Sequence, residues 1–434
     1  MSIESNFPSA SIRALLLCDA VIVMAQMVGL MAVPWWIVHE SGATDLAMYG
    51  VILAAGSLAA LLLLAPLSER FPKRRQLVAG LALSALAALL LAMLTGRGRY
   101  NFPALIAVSV VAILADNLVT PVFAAITAEL VDPTSLPAAL RQRKTAQSVG
   151  RLLGPVVGGA TIAVGGVSAA LWLQFALFGV ASIACLLLPS QKAQHATRRP
   201  PFSQWCADVK AGARAKWKVP IDRGWTAVNF VVWVFVGPAF GMLIPLKVQS
   251  LGLSASWLGA CEAALSVGLF VGSVMGLPLL VARFGRLHVR VGAAVAEGVS
   301  LAIAGYVASP FLLMAAYACA GFANTLMVLV GATHRSLAVP LDFRVRMTAV
   351  NMMSSQIASS IGVALAGAAL ARWSVSHVYS LFGVIAAFGA LLFLRIPRAA
   401  EFFALDHVHV VDWYKREYPT AFEAPPGRIR ATRG

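Results

Sequence analysis

A chain of 434 residues that is 59% hydrophobic and only 12% charged, with a mean hydropathy of +0.81, lacks the surface charge a water-soluble domain needs. Its formal charge of +16 would suit nucleic acid only if the bases gathered on a soluble face. They sit instead in the gaps between apolar runs, which excludes nucleic acid as a partner and points to an all-α membrane protein.

In chain order, runs long enough to cross a hydrocarbon core about 30 Å thick fall at 12–38, 46–67, 76–95, 103–129, 145–165 and 168–189. A second set follows at 224–247, 256–282, 288–307, 310–333, 348–371 and 376–395. This predicts 12 transmembrane helices in two bundles of six: 1–189, then a linker at 190–223, then 224–396 and a tail at 397–434. The first run is too long for the apolar part of a cleavable leader and has no small-residue cleavage site behind it, so it is expected to stay as the first span. With the N-terminus in the cytoplasm, 21 bases fall in inner loops and four in outer ones. The positive-inside rule then places both termini, the linker and the tail on the cytoplasmic side of an inner membrane.

The linker segment FSQWCADVKAGARAKWK sets Phe202, Trp205, Val209 and Ala213 at helical spacing, with Lys210, Arg214 and Lys216 opposite. It reads as an interfacial helix on an anionic leaflet, or else as a solvated connector. Cys18, Cys185, Cys206, Cys261 and Cys319 have no metal or redox spacing and read as small packing residues. His407 and His409 alternate in the tail and could suggest a metal, but a solvated tail is the simpler reading; no metal and no cofactor is expected. Neither a P-loop nor HExxH occurs, so the chain is not expected to be an enzyme.

The two halves repeat each other. ERFPKRR at 69–75 matches ARFGRLH at 282–288, which places Arg70 and Lys73 on Arg283 and Arg286. The segments 117–133 and 324–340 align with Asn117 on Asn324. Such repeats are a transporter architecture with the substrate path near the midplane. The charged turn, with Glu69, Arg70, Lys73 and Arg74, resembles the signature between helices two and three of the major facilitator superfamily, although Ala65, Glu69 and Pro72 stand where the signature has glycine, aspartate and glycine. In that family the turn latches the halves together on the cytoplasmic side.

GRLLGPVVGG, with Gly150, Arg151, Gly154, Pro155, Gly158 and Gly159, is similar to the fifth-helix motif of exporters in that superfamily. Glycines at i+4 make a smooth face for close helix approach, and Pro155 can bend the helix; ordinary small-residue packing is the alternative. The segments 32–50, 154–170 and 240–276 are similar to the branch containing the enterobactin exporter and macrolide-efflux permeases. The resemblance implies helices one, four, seven and ten around a central cavity.

Ionisable groups inside spans are costly and so are functional candidates. Asp116, Asp19 and Glu262 are the proton-coupling candidates. Gln26, Asn117, Thr120, Trp225, Asn229, Trp233 and Asn324 are the candidates for the cavity wall, whereas Glu297 on a ninth helix is expected to be peripheral. Arg151 is a possible countercharge. The expectation is a monomeric, proton-driven exporter of amphiphilic small molecules, either drugs or siderophore-like metabolites, in contact with membrane lipid. The alternatives are proton-coupled uptake, or a sensor or scaffold with a transporter fold.

Overall fold

The structure, a computed structural model, describes residues 10–64, 72–130, 136–186, 202–406 and 408–423. The first half comprises α1 (Ala10–Glu40), α2 (Ala43–Leu64), α3 (Lys73–Gly96), α4 (Phe102–Leu130) and α5 (Leu136–Leu186). The amphipathic α6 (Phe202–Lys218) leads into the second half: α7 (Pro220–Phe240), α8 (Leu243–Ser250), α9 (Ala255–Val271), α10 (Leu277–Phe284), α11 (Arg286–Tyr306), α12 (Pro310–Ala338), α13 (Leu341–Leu370) and α14 (Val375–Leu391). The short α15 (Ala399–Ala404) and α16 (Trp413–Glu417) end the described chain.

Among the described residues ten helices are long and apolar enough to cross a membrane, and the pair α7 and α8, bent by 44°, makes an eleventh. The 51-residue α5 divides at Gly166, whose φ of 75° is open to glycine and strained for other residues. Two spans of ordinary length result, so each of the twelve apolar runs has its helix. Val219 gives way to Pro220 at the first position of α7, and Ser309 to Pro310 in α12, where a missing N–H costs nothing. Leu17, Val164, Ile183 and Phe388 remain outward-facing, as lipid contact requires.

The halves meet along two seams. In one, α5 packs on α9; in the other, α13 packs on α2. A side chain at Gly50 would come within 2.8 Å of Val363, and one at Gly367 within 2.4 Å of Ala47. Gln249 also reaches the Val38 carbonyl at 3.4 Å. These contacts lie toward the end of the spans opposite the linker, here called the far end.

Two expectations about the ends of the chain are corrected. The linker helix does not keep all its bases outward: Gly212 sits against the Arg346 backbone of α13, Asp208 pairs with Arg346 at 3.0 Å, and Lys216 is buried. Nor is the described part of the tail, up to residue 423, a solvated segment. Phe402, Phe403, Val410, Trp413 and Tyr414 are buried against the linker end of the second half. Asp412 donates its backbone N–H to the Leu337 carbonyl at 3.0 Å, and Lys218 of α6 donates to the Thr420 carbonyl at 3.1 Å. His407 lies outside the described residues, and the exposed His409 bonds to Asp406 at 2.7 Å.

Candidate functional site

In the first half, α1, α3 and α4 converge on Asp116. Ser84 of α3 lies 3.5 Å from its Oδ1, and Gln26 of α1 faces the same carboxylate. Asn117, one residue on and so about 100° around the helix, points elsewhere. Its Nδ2 donates to the Ile113 carbonyl at 2.8 Å and lies 3.4 Å from Ser57 of α2. Gln356 of α13 reaches the same Ser57 at 3.5 Å, so Asn117 stands beside a polar bridge between the halves. Thr120 bonds back to the Asp116 carbonyl of its own helix at 2.9 Å.

Asp19 is not a solvated group. Its Oδ2 accepts from Arg143 Nε at 2.7 Å and Gln147 Nε2 at 3.0 Å, and both carboxylate and guanidinium are nearly out of contact with solvent. Arg143, counted among loop bases in the sequence, is therefore the buried partner that ties the start of α5 to α1.

The aromatic and amide residues of α7 and α12 turn into the second half rather than toward the seams. Trp225 is 2% exposed and stacks on Phe403 of the tail, with Phe393 edge-on. The Arg290 guanidinium packs against both the Trp225 and Phe393 rings, 4.3 and 4.5 Å from their centroids. Arg290 also donates to Asn229 Oδ1 at 2.9 Å and to the Met327 carbonyl. Asn324 donates to Glu297 at 2.7 Å, and Glu297 is wholly buried, contrary to its expected place at the periphery. Trp233 is half-buried against the same core. Arg290 is not legible as a site residue in the sequence, where it sits four residues past Arg286 and reads as one more base at the cytoplasmic start of a span.

At the linker end, Asp222 is fully buried and accepts from Lys216 Nζ at 2.6 Å, Arg335 Nε at 2.6 Å and Tyr414 Oη at 3.3 Å. Arg335 extends the network to Thr226 at 3.2 Å and Asn351 at 2.7 Å. Desolvation, and then repulsion from Arg335, push the Lys216 ammonium down to about 8 against the pull of Asp222.

The described residues of the charged turns contact their own halves and the tail. Glu69 and Arg70 lie outside the described residues. Arg74 donates to the Leu186 carbonyl of its own half, and Lys73 opens α3. Arg283 is exposed over Phe284, while Arg286 donates to the Leu405 carbonyl of the tail at 3.1 Å. The fifth-helix motif presents two faces. Gly150, Gly154 and Gly158 pack on α1, where added side chains would stand 2.3 Å from the Ala20 carbonyl, 2.5 Å from Met27 and 3.3 Å from Val28. Pro155 and Gly159 form the other face, against Gly259 of α9, with 2.8 Å between a Gly159 side chain and the Gly259 Cα. Glu262 follows Gly259 by one turn along α9, and Ser266 by two; Ser266 reaches the Arg151 carbonyl at 3.4 Å. Glu262 has no hydrogen-bond partner among the described residues, and Arg151 has no ion pair among them.

A family model described as Major Facilitator Superfamily matches residues 15–281. The chain belongs to the major facilitator superfamily. As a major facilitator it is a secondary transporter of a small molecule, not an enzyme. Solved structures share the fold. The nucleoside transporter NupG is 14% identical, covers 89% of this chain and all of its own, and superposes with a TM-score of 0.72. A peptide transporter in complex with alafosfalin is 13% identical over 91% of this chain and 96% of its own, with a TM-score of 0.70. A bacterial homologue of the lysosomal transporter Spinster, inward-facing and unoccupied, is 15% identical over 96% and 98%, at 0.62. A search of the curated proteins finds no match.

Proposed function

We propose that this major facilitator exports amphiphilic small molecules, drugs or siderophore-like metabolites, in exchange for protons. Its place is the inner membrane, with the linker and both termini in the cytoplasm. The observation that supports export is the contact of Pro155 and Gly159 with Gly259: two of the residues that resemble the exporter motif stand in a seam that closes the far end between the halves. With the seams at the far end, the halves would part toward the cytoplasm, the side from which an exporter loads. Rocking of the halves would then alternate access. Asp116, held between Ser84 and Gln26, is the group assigned to the proton, and Glu262 beside the α5–α9 seam is the second choice.

Everted vesicles from cells overproducing the protein test the direction. Proton-dependent accumulation of fluorescent amphiphilic cations inside the vesicles is the expected result. Uptake into intact cells would instead favour a proton-coupled importer, and the absence of flux with every probe would favour a sensor or scaffold.

A further inference from the structure

The second half holds a buried carboxylate for which export through Asp116 has no use. Glu297 lies in the middle of α11 with its side chain wholly buried. Its Oε1 accepts from Asn324 Nδ2 at 2.7 Å, while Oε2 is buried with no partner among the described residues. Two turns toward the linker end on the same face, about 10 Å away at 1.5 Å per residue, Arg290 Nε is likewise buried and unpartnered. A small internal cavity lined by Asn229, Arg290, Ala294 and Met327 lies along that face. An anion half-stripped of hydrogen bonds in such an interior costs several kcal/mol, and a neutral carboxyl far less.

The internal repeat strengthens the case. The offset of 213 that sets Arg70 on Arg283 also sets Ser84 on Glu297, and the offset of 207 sets Asn117 on Asn324. Ser84 meets Asp116, the neighbour of Asn117, and Glu297 meets Asn324. Each half therefore places one carboxylate between an equivalent pair of helices, on α4 in the first half and on α11 in the second.

We propose that Glu297 is a second proton-carrying group, with Arg290 as the cation nearest to it when the proton has left. The proposal rests on the proton-coupled reading above. In the step, the O–H bond of the Glu297 carboxyl breaks, its electron pair stays on the oxygen, and the proton passes to a water molecule, which becomes hydronium. The reverse step restores it. On α11 the charged group toward Glu297 is Arg290. On α12 Asn324 is neutral and Arg335 lies three turns toward the linker end. On α7 Asn229 is neutral and Asp222 lies two turns beyond it, and on α14 Gly383 and Ala387 pack beside Gly298.

Infrared difference spectra of the full-length protein in lipid nanodiscs, recorded while the bulk pH is stepped, read the carboxyl C=O band directly. One pH-dependent band should disappear in Glu297→Gln, persist in Asp116→Asn and shift its midpoint in Arg290→Lys. In proteoliposomes Glu297→Gln should lower pH-gradient-driven ethidium flux about a hundredfold while ethidium counterflow persists. Loss of the band in Glu297→Gln when the wild type ignores the gradient supports the site and overturns only the coupling reading. An unchanged band in Glu297→Gln, or unimpaired driven flux beside a gradient-responsive wild type, overturns the proposal. Should Glu297→Gln fail to insert, Asn324→Ala keeps the carboxyl and must move the band's midpoint; an unmoved band overturns it equally.

Discussion

Gly159 of the fifth span and Gly259 of the eighth meet backbone to backbone, so that a side chain on Gly259 would stand 2.5 Å from the Pro155 carbonyl. The two halves of the transporter come together here because neither residue has a Cβ to hold them apart. The neighbouring Gly150, Gly154 and Gly158 serve a different contact, within the first half.

Gly259→Val should therefore leave the protein in the membrane but prevent closure of the far end, reducing transport by an order of magnitude or more. Gly158→Ala, 3.3 Å from the Val28 Cα, should cost much less because a shift of a few tenths of an ångström accommodates it. Cysteine accessibility from the two sides of the membrane reads the difference. Equal accessibility and equal flux in Gly259→Val and wild type would remove the closing role of this seam.

Asp116→Asn should abolish uphill export driven by a pH gradient yet retain downhill exchange, since the amide can still accept a hydrogen bond from its neighbours Ser84 and Gln26 but cannot release a proton. Proteoliposomes with and without an imposed gradient provide the comparison. Full gradient-driven export by the variant would pass the role to Glu262 or Glu297.

Asp19→Asn should act on stability before substrate. Breaking a buried ion pair by removing one partner costs roughly 3–5 kcal/mol, and here it would strand Arg143 between α1, α5 and the Phe123 ring. A lowered melting temperature in detergent, partly restored by the second change Arg143→Gln, is the expected outcome. A variant of wild-type melting temperature with selectively weakened binding of cations would place Asp19 in the substrate path instead.

Lys216 gives a pH dependence with a definite sign. Its folded value of about 8 lies below the ordinary 10.5, so between these values the unfolded chain binds more protons than the folded one. The contribution of this group to stability therefore rises as pH increases through that window. Thermal melts from pH 8 upward should show the wild type gaining on Lys216→Met, in which the titration is absent. A constant difference between the two proteins would mean that Lys216 is not desolvated against Asp222 and Arg335.

Much of the fold could be read from sequence because a bilayer leaves little choice. Backbone groups in hydrocarbon must bond within their own helix, so each long apolar run had to be a helix, while the break at Gly166 and the starts at Pro220 and Pro310 came from the structure. The spacing of Gly150, Gly154 and Gly158 likewise announced a smooth face. Periodicity relates a helix to itself, however, and does not say which neighbour a face meets. Trp225, Asn229 and Asn324 were legible as one-sided polar or aromatic positions, yet only packing turned them inward onto Arg290 and Glu297. The positive-inside count treated Arg143, Lys216, Arg290 and Arg335 as interchangeable loop bases, whereas each is paired or stacked in a buried place. Their partners are distant or hidden in sequence: Asp19 lies 124 residues from Arg143 and Asp222 lies 113 from Arg335. The tail was unreadable for the same reason. Phe402, Phe403, Trp413 and Tyr414 become a packed cap only because the second half offers an aromatic and ionic surface, assembled from α7, α11 and α12, for them to cover.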